Sequence, residues 1–216
     1  MDKKSIIKTF EELKKNSKER KFEQSVDLIV NLKDLNLKKP EEQVEFFAIL
    51  PHPLKTKGKI CAIVAQELEE EAKKVCDKVI TQEELKKYQT DKKASKKLAE
   101  EFIYFIAQAN IMAQIAGSLG RVFGPRGKMP NPKAGCVVPP KTALQPVYDR
   151  LQKTAKLSAK KLPIFHVKVG TTKSSDNEIA ENVIYLYDQI VHHLPKEKHN
   201  VNNALLKLTM SKPMKL

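Results

Sequence analysis

The hydrophobic pattern changes period twice along the chain, and the two ends share a pattern that the middle lacks. Near the N-terminus, after an amphipathic helix predicted over residues 3–18, Val26, Leu28, Val30 and Leu32 fall on every second position. Ser25, Asp27 and Asn31 occupy the alternate ones. That period of two, within Phe22 to Leu32, requires a strand with one wet face, as in an antiparallel sheet. Gln43 to Leu50 reads as a second strand, and Pro51-His52-Pro53 breaks it. The same grammar returns after about Ser158, where Leu162 to Val169 (LPIFHVKV) alternates. Ser175-Asp176-Asn177 should cap a long helix from Glu178 to His193, and Ala204 to Met210 forms a last strand.

Between these ends, after Lys55-Thr56-Lys57-Gly58, short apolar runs alternate with helices. Lys59 to Ala65 (KICAIVA) has the character of a buried strand, followed by a helix from Glu67 to Cys76. Val79 and Ile80 mark a short strand, and Thr81-Gln82-Glu83-Glu84 starts a helix with a capping-box threonine. Phe102 to Ala107 (FIYFIA) is a central strand, and Ile111 to Val122 a further helix. This β-α-β-α order predicts a small parallel sheet covered by helices on both faces. The economical architecture is an α/β (α+β) fold of two domains. Residues 1–56 and 158–216 would form one discontinuous α+β unit, interrupted by an insert at 57–157. Two chain crossings at one junction would form a hinge.

Gly124 to Pro132 (GPRGKMPNP) packs two glycines, three prolines and two cations into nine residues. Prolines fix φ and remove donors while glycines permit positive φ, so a stiff irregular loop is expected, with no helix or strand running through it. The loop lies in a basic window. The chain carries 40 Lys+Arg against 26 Asp+Glu, a net charge of +14. From Arg121 to Lys173 there are 12 basic residues and one acid, Asp149, so this window alone holds +11. A field of one sign over such a length points to a polyanionic partner, and nucleic acid is the commonest. The mixed Lys/Glu stretch from Glu67 to Glu101 reads instead as a solvated surface.

Little in the chain asks for catalysis. A Walker A loop ending at Gly127-Lys128 would need glycine where Val122 stands and Ser or Thr where Met129 stands. Histidines 52, 166, 192, 193 and 199 show no metal-ligand spacing, and no Gly-x-Ser-x-Gly or Cys-His arrangement is visible. Cys61, Cys76 and Cys136 are odd in number and far apart, so buried thiols are expected rather than disulfides or metal ligands. No cofactor and no metal are expected. The opening MDKKSIIKTFEELKK is no signal peptide, and no apolar run reaches membrane-span length, so a cytoplasmic location is expected.

Nucleic-acid binding has positive support. The two polar-faced strands would put Phe22, Ser25 and Asp27 on one sheet, and the terminal strand ends in Thr209-Met210-Ser211-Lys212-Pro213. Hydroxyls, a flexible thioether and backbone amides at a sheet end suit a folded RNA. Trp is absent and aromatics make up only 6%, which disfavours a stacking platform for single strands.

Phe123-Gly124-Pro125-Arg126-Gly127-Lys128-Met129-Pro130 closely resembles the signature of the ribosomal protein L-one family, the universal large-subunit stalk proteins. Phe22 to Asp27 (FEQSVD) after a helix, Ile164 to Gly170 (IFHVKVG) and Leu208-Thr209-Met210 resemble other stretches of that family, in the same order. The compact length is similar to its archaeal branch. The resemblance implies a discontinuous α+β domain and an inserted Rossmann-like three-layer α/β domain without a dinucleotide fingerprint. It also implies a non-enzymatic ribosomal protein, monomeric when free, that binds large-subunit ribosomal RNA in the mobile stalk near the tRNA exit site. Release of deacylated exit-site tRNA, and translational repression through the protein's own mRNA, are implied too. The alternative is a standalone RNA-binding translational regulator not stably part of the ribosome.

Carried over by residue, the ribosomal or messenger RNA contacts would fall on Glu12, Phe22, Ser25, His166, Gly170, Thr209, Met210 and Ser211. Arg121, Arg126 and Lys128 would offer secondary contacts to tRNA or nearby RNA. Two positions depart from the family pattern. Ser211 replaces a usual glycine, at a steric cost if positive φ is needed there, and Thr171 stands where a lysine is expected, with Lys173 as a substitute.

Overall fold

A computed structural model describes residues 2–18, 20–54, 58–140 and 142–216. In chain order the elements begin with α1 (Lys3–Asn16), β1 (Ser25–Leu32), β2 (Val44–Ile49), β3 (Ile60–Val64), α2 (Gln66–Val75) and β4 (Lys78–Thr81). There follow α3 (Gln82–Thr90), α4 (Lys92–Glu101), β5 (Tyr104–Gln108), α5 (Met112–Arg126), β6 (Val137–Val138) and α6 (Leu144–Lys153). The last are β7 (Thr154–Ala159), β8 (Ile164–Thr171), α7 (Asp176–His193), β9 (Val201–Leu208) and β10 (Met214–Lys215). The chain divides into two compact units, Met1–Thr56 with Lys153–Leu216, and Lys57–Gln152. Residues 55–57, where the first boundary and one strand of the hinge are expected, lie outside the described residues.

The first unit is built on an antiparallel sheet of order β10-β9-β1-β8. Alternation in β1 buries Val26, Leu28, Val30 and Leu32 on one face. Against them pack Ile6, Phe10 and Leu13 of α1 and Ile179, Val183, Leu186 and Ile190 of α7, both sets spaced to line one side of a helix. Each such burial contributes about 1.5–3 kcal/mol. Helix α7 starts at Asp176, two residues before the expected Glu178 and directly after the capping Ser175: the Ser175 hydroxyl accepts the Glu178 N–H (3.3 Å) while the Glu178 carboxylate accepts the Ser175 N–H (3.0 Å). A two-stranded ribbon of β2 and β7 completes this unit. The expected second boundary at 157/158 would have cut β7, which lies wholly in the first unit because Val44 to Ile49 pair with its full length.

The second unit holds a wholly parallel sheet of order β4-β3-β5-β6. Every residue of β3 is buried, as its unbroken apolar run requires. Cys61, Ile63, Phe105 and Ala107 face a core completed by Leu85 of α3, Leu98 of α4 and Ile115, Leu119 and Phe123 of α5. The alternate residues Ile60, Ala62, Val64 and Ile106 are buried on the opposite face.

One expectation about the Gly124–Pro132 segment fails. Helix α5 runs through Pro125 to Arg126. Gly127, at φ 63°, then reverses the chain: its N–H donates to the Gly124 carbonyl and the Lys128 N–H to the Phe123 carbonyl, both at 3.0 Å. This double bond set is a Schellman cap, and it places Pro125 in the last turn, where its missing donor deprives only the carbonyl of exposed Arg121. The irregular segment therefore starts at Lys128. The last strand also ends earlier than expected, since Thr209 to Ser211 turn out of the sheet.

Candidate nucleic-acid interface

The end of the first unit's sheet brings together residues far apart in sequence. Val26 of β1 pairs with Leu208 of β9, so Ser25 meets Thr209 just beyond the paired strands. The Thr209 N–H donates to the Ser25 carbonyl (3.1 Å), the Ser25 N–H donates to Thr209 Oγ1 (3.0 Å), and the two hydroxyls lie 3.1 Å apart. The threonine side chain thus extends the ladder by one rung while both hydroxyls keep capacity toward solvent. Next to them the Met210 N–H donates to Gln24 Oε1 (3.1 Å), and the chain turns so that the Met210 side chain is 59% exposed. Phe22 is 52% exposed. Two large apolar side chains standing out of a frame of hydroxyls and amides give a surface that can cover sugar and base faces while its rim accepts and donates hydrogen bonds.

Ser211 needs no left-handed backbone. Among the described non-glycine residues only Asp34 and Glu197 have positive φ. The steric cost expected of serine does not arise, because the Ser211 hydroxyl accepts the Leu208 N–H (2.9 Å) and its own N–H donates to the Leu208 carbonyl (3.1 Å), closing the turn. Beneath Met210 and Ser211 runs a cleft of about 530 Å³, walled by Leu13, Asn16 and Ser17 at the end of α1 and by Met214, with Lys18, Arg20 and Lys212 around it. These cations give the sheet end a positive rim suited to phosphates.

Other expected contacts sit differently. Gly170 pairs with Val26 and is buried, and a Cβ there would stand 3.1 Å from Ile179 Cγ1, so this glycine allows β8 to lie close on α7. It shapes the site from below. Thr171 is also buried, and Lys173 reaches Glu23 at 3.6 Å. His166 is exposed, but it lies along β8 opposite Ile29, with Nε2 3.4 Å from Asp27 Oδ2, away from the Ser25–Thr209 end. Glu12 is half-exposed on α1 and does not line the cleft that begins at Leu13. Sequence reasoning missed Gln24, Lys18 and Arg20. The run of cations between α1 and β1 was a usable signal for the last two. Gln24 lies within the FEQSVD stretch, but its burial emerges only once β8 and β9 flank it.

In the second unit Arg126 and Lys128 are both engaged within the protein. Lys128 Nζ donates to the carbonyls of Phe102 (2.9 Å) and Ile103 (3.3 Å), and burial pushes its pKa down. The Arg126 guanidinium lies 3.5 Å from Glu100 and 3.5 Å from the Val122 carbonyl. Arg121 stands exposed on α5. A nucleotide would be expected at the carboxyl ends of β3 and β5, where the strand order reverses. Near that edge the cleft between Ala65 and Thr81 is lined by Glu67, Glu69, Glu83 and Glu84 together with Lys86 and Lys87, so acids outnumber cations there. Gln108 is buried there and accepts the Ala65 N–H at 2.9 Å. Burial raises the pKa of the Cys61 thiol and pushes that of Cys76 up to about 11, which disfavours the reactive thiolate.

Comparison with known proteins gives the same direction. Residues 13–212 match the Ribosomal protein L1p/L10e family. The chain is 39% identical to the large ribosomal subunit protein uL1 of Methanothermococcus thermolithotrophicus over 216 residues, covering 100% of this chain and 99% of the relative. It is 36% identical to the protein of the same name from Pyrococcus abyssi, covering 100% and 96%. For that of Nanoarchaeum equitans the identity is 40%, over 91% of this chain and 92% of the relative. The chain belongs to the ribosomal protein L1 family and is of archaeal type.

Proposed function

We propose that this chain is a structural, non-enzymatic constituent of the large ribosomal subunit that binds large-subunit ribosomal RNA through the sheet end of its first unit. In this reading it builds the mobile stalk near the tRNA exit site and assists release of deacylated tRNA. A similar RNA structure in its own mRNA would occupy the same sheet end and repress translation. The relatives' shared name, large ribosomal subunit protein, supports the assembly. The observation that carries the RNA site is the pairing of Ser25 with Thr209 below an exposed Met210 and beside an exposed Phe22. Such a surface reads a folded RNA by shape and sugar hydroxyls, while Lys18, Arg20 and Lys212 supply attraction for phosphates.

The test is the affinity of the full chain for a stalk RNA fragment. Met210→Asp places a carboxylate against RNA and is expected to cost about 1–3 kcal/mol, the scale of a good specific contact. Lys128→Ala should cost far less, because its ammonium is already held by two carbonyls. Equal losses would remove the assignment to the sheet end. Co-sedimentation with large subunits in lysate separates a ribosomal constituent from a standalone regulator of mRNA.

A further inference from the structure

Six lysines stand on one helical hairpin of the second unit: Lys86 and Lys87 on α3, and Lys92, Lys93, Lys96 and Lys97 on α4. All six are exposed. None makes a side-chain ion pair among the described residues. Between residues 86 and 97 the one acid is Asp91, and its carboxylate is spent on the N-terminus of α4, where it accepts the N–H groups of Lys93 (2.9 Å) and Ala94 (3.0 Å). The acids one turn beyond Lys96 and Lys97 are turned elsewhere: Glu100 lies 3.5 Å from Arg126 and Glu101 lies 2.9 Å from Lys59.

The hairpin is also fixed in shape. Ser95 is 1% exposed, and its hydroxyl lies 2.8 Å from the Tyr88 carbonyl and 3.0 Å from that of Asp91, which pins the turn between the helices. Leu85, Leu98 and Ala99 anchor both helices in the core. Like charges at Lys92 and Lys96, and at Lys93 and Lys97, repel along one helix face, so this arrangement disfavours folding unless counter-charge is supplied. The sequence pattern alone reads as a solvated mixed-charge face. In the folded chain Asp91, Glu100 and Glu101 are engaged elsewhere, so the lysines of α4 keep a field of one sign, whereas Lys86 and Lys87 share a cleft with Glu83 and Glu84.

We infer that the α3–α4 hairpin is a second nucleic-acid contact, one that grips the phosphate backbone of double-stranded RNA without reading its sequence. Lysine is a point charge on a flexible stem and carries no base code. The hairpin's aromatic, Tyr88, is half-buried, which disfavours stacking on single strands. The contact lies in the second unit, beside the secondary contacts expected of Arg121, Arg126 and Lys128.

To isolate it, the full chain carrying Met210→Asp is titrated with an arbitrary RNA duplex of about 20 base pairs, from about 50 to 200 mM salt. Changing Lys92, Lys93, Lys96 and Lys97 together to Gln should weaken binding at least ~10-fold and lower the log–log salt slope by about 2–4, near one unit per lost phosphate contact. Arginine at the same four positions should preserve both. Lys86→Gln with Lys87→Gln, on the other helix, is an independent variant expected to lower the slope by about 1–2. Unchanged affinity and slope in both variants would overturn the inference. Displacement of the duplex by polyglutamate at equal charge concentration would overturn it as well, and would make the hairpin a surface for acidic proteins. Because the duplex lacks stalk sequence, these outcomes do not depend on the sheet-end assignment.

Discussion

The sheet end around Thr209 and the segment around Lys128 both lie in stretches that carry the family resemblance, yet they use their residues in opposite ways. Around Lys128 the cations are engaged by partners within the protein. The ammonium is held by the carbonyls of Phe102 and Ile103, Arg126 leans on Glu100, and Phe123 is fully buried with its ring 4.4 Å from that of Phe105. Around Thr209 the apolar groups face outward, and the polar ones hold them there. A cation in the sequence is therefore not a cation offered to a ligand, and a methionine is not always part of a core. What decides is which groups the backbone fold leaves unpartnered.

Three measurements can break or sharpen this contrast. The largest effect belongs to Phe123→Ala, expected to cost about 3–5 kcal/mol of the second unit's stability in denaturant melts while leaving stalk-fragment affinity unchanged where the chain is folded. A loss of affinity without loss of stability would invert the comparison. Thr209→Val keeps the shape but removes the hydroxyl that accepts the Ser25 N–H, so about 1 kcal/mol of stability should go, together with a measurable fall in RNA affinity. The smallest effect is one of pH. Hydrogen bonds from Lys3 and His52 hold the Glu181 carboxyl of the first unit down at about 2, from an ordinary 4.5. A depressed acid contributes stability that is fully present above its ordinary value and is lost as pH falls through its folded one. The first unit should therefore weaken between about 4.5 and about 2, well below the pH of RNA binding. Titration of Glu181 by NMR checks this, and Lys3→Ala should move its midpoint upward.

Where local chemistry alone decides structure, the sequence was legible. Val26 to Leu32 could only be a half-buried strand, and Thr81 and the Ser175 segment mark the starts of their helices to within two residues. Elements set by distant partners were not. Helix α6 carries Pro146 in its first turn, tolerated there because the N–H groups of a first turn lack helical partners, and Glu71 of α2 accepts the Leu144 N–H at 2.6 Å. Strand β7 buries Ala155, Leu157 and Ala159, and two alanines give alternation too faint to recognise without β2 beside it. Of the site, Phe22, Ser25, Thr209 and Met210 could be gathered from resemblance. Their common support could not, nor could the hairpin lysines, whose freedom depends on where Glu100 and Glu101 turn.

That support is Gln24. Its backbone carbonyl accepts the Thr172 N–H (3.0 Å) beyond β8, and its side-chain carbonyl accepts the Met210 N–H (3.1 Å) beyond β9. One residue, 5% exposed, thereby spans the full width of the proposed grip. Changes there would act as a loss of calibration: every surface group would still be present, at slightly wrong separations. Chains with an altered residue 24 would keep every exposed residue of the proposed grip and still bind poorly, a defect that an inventory of exposed residues would never detect.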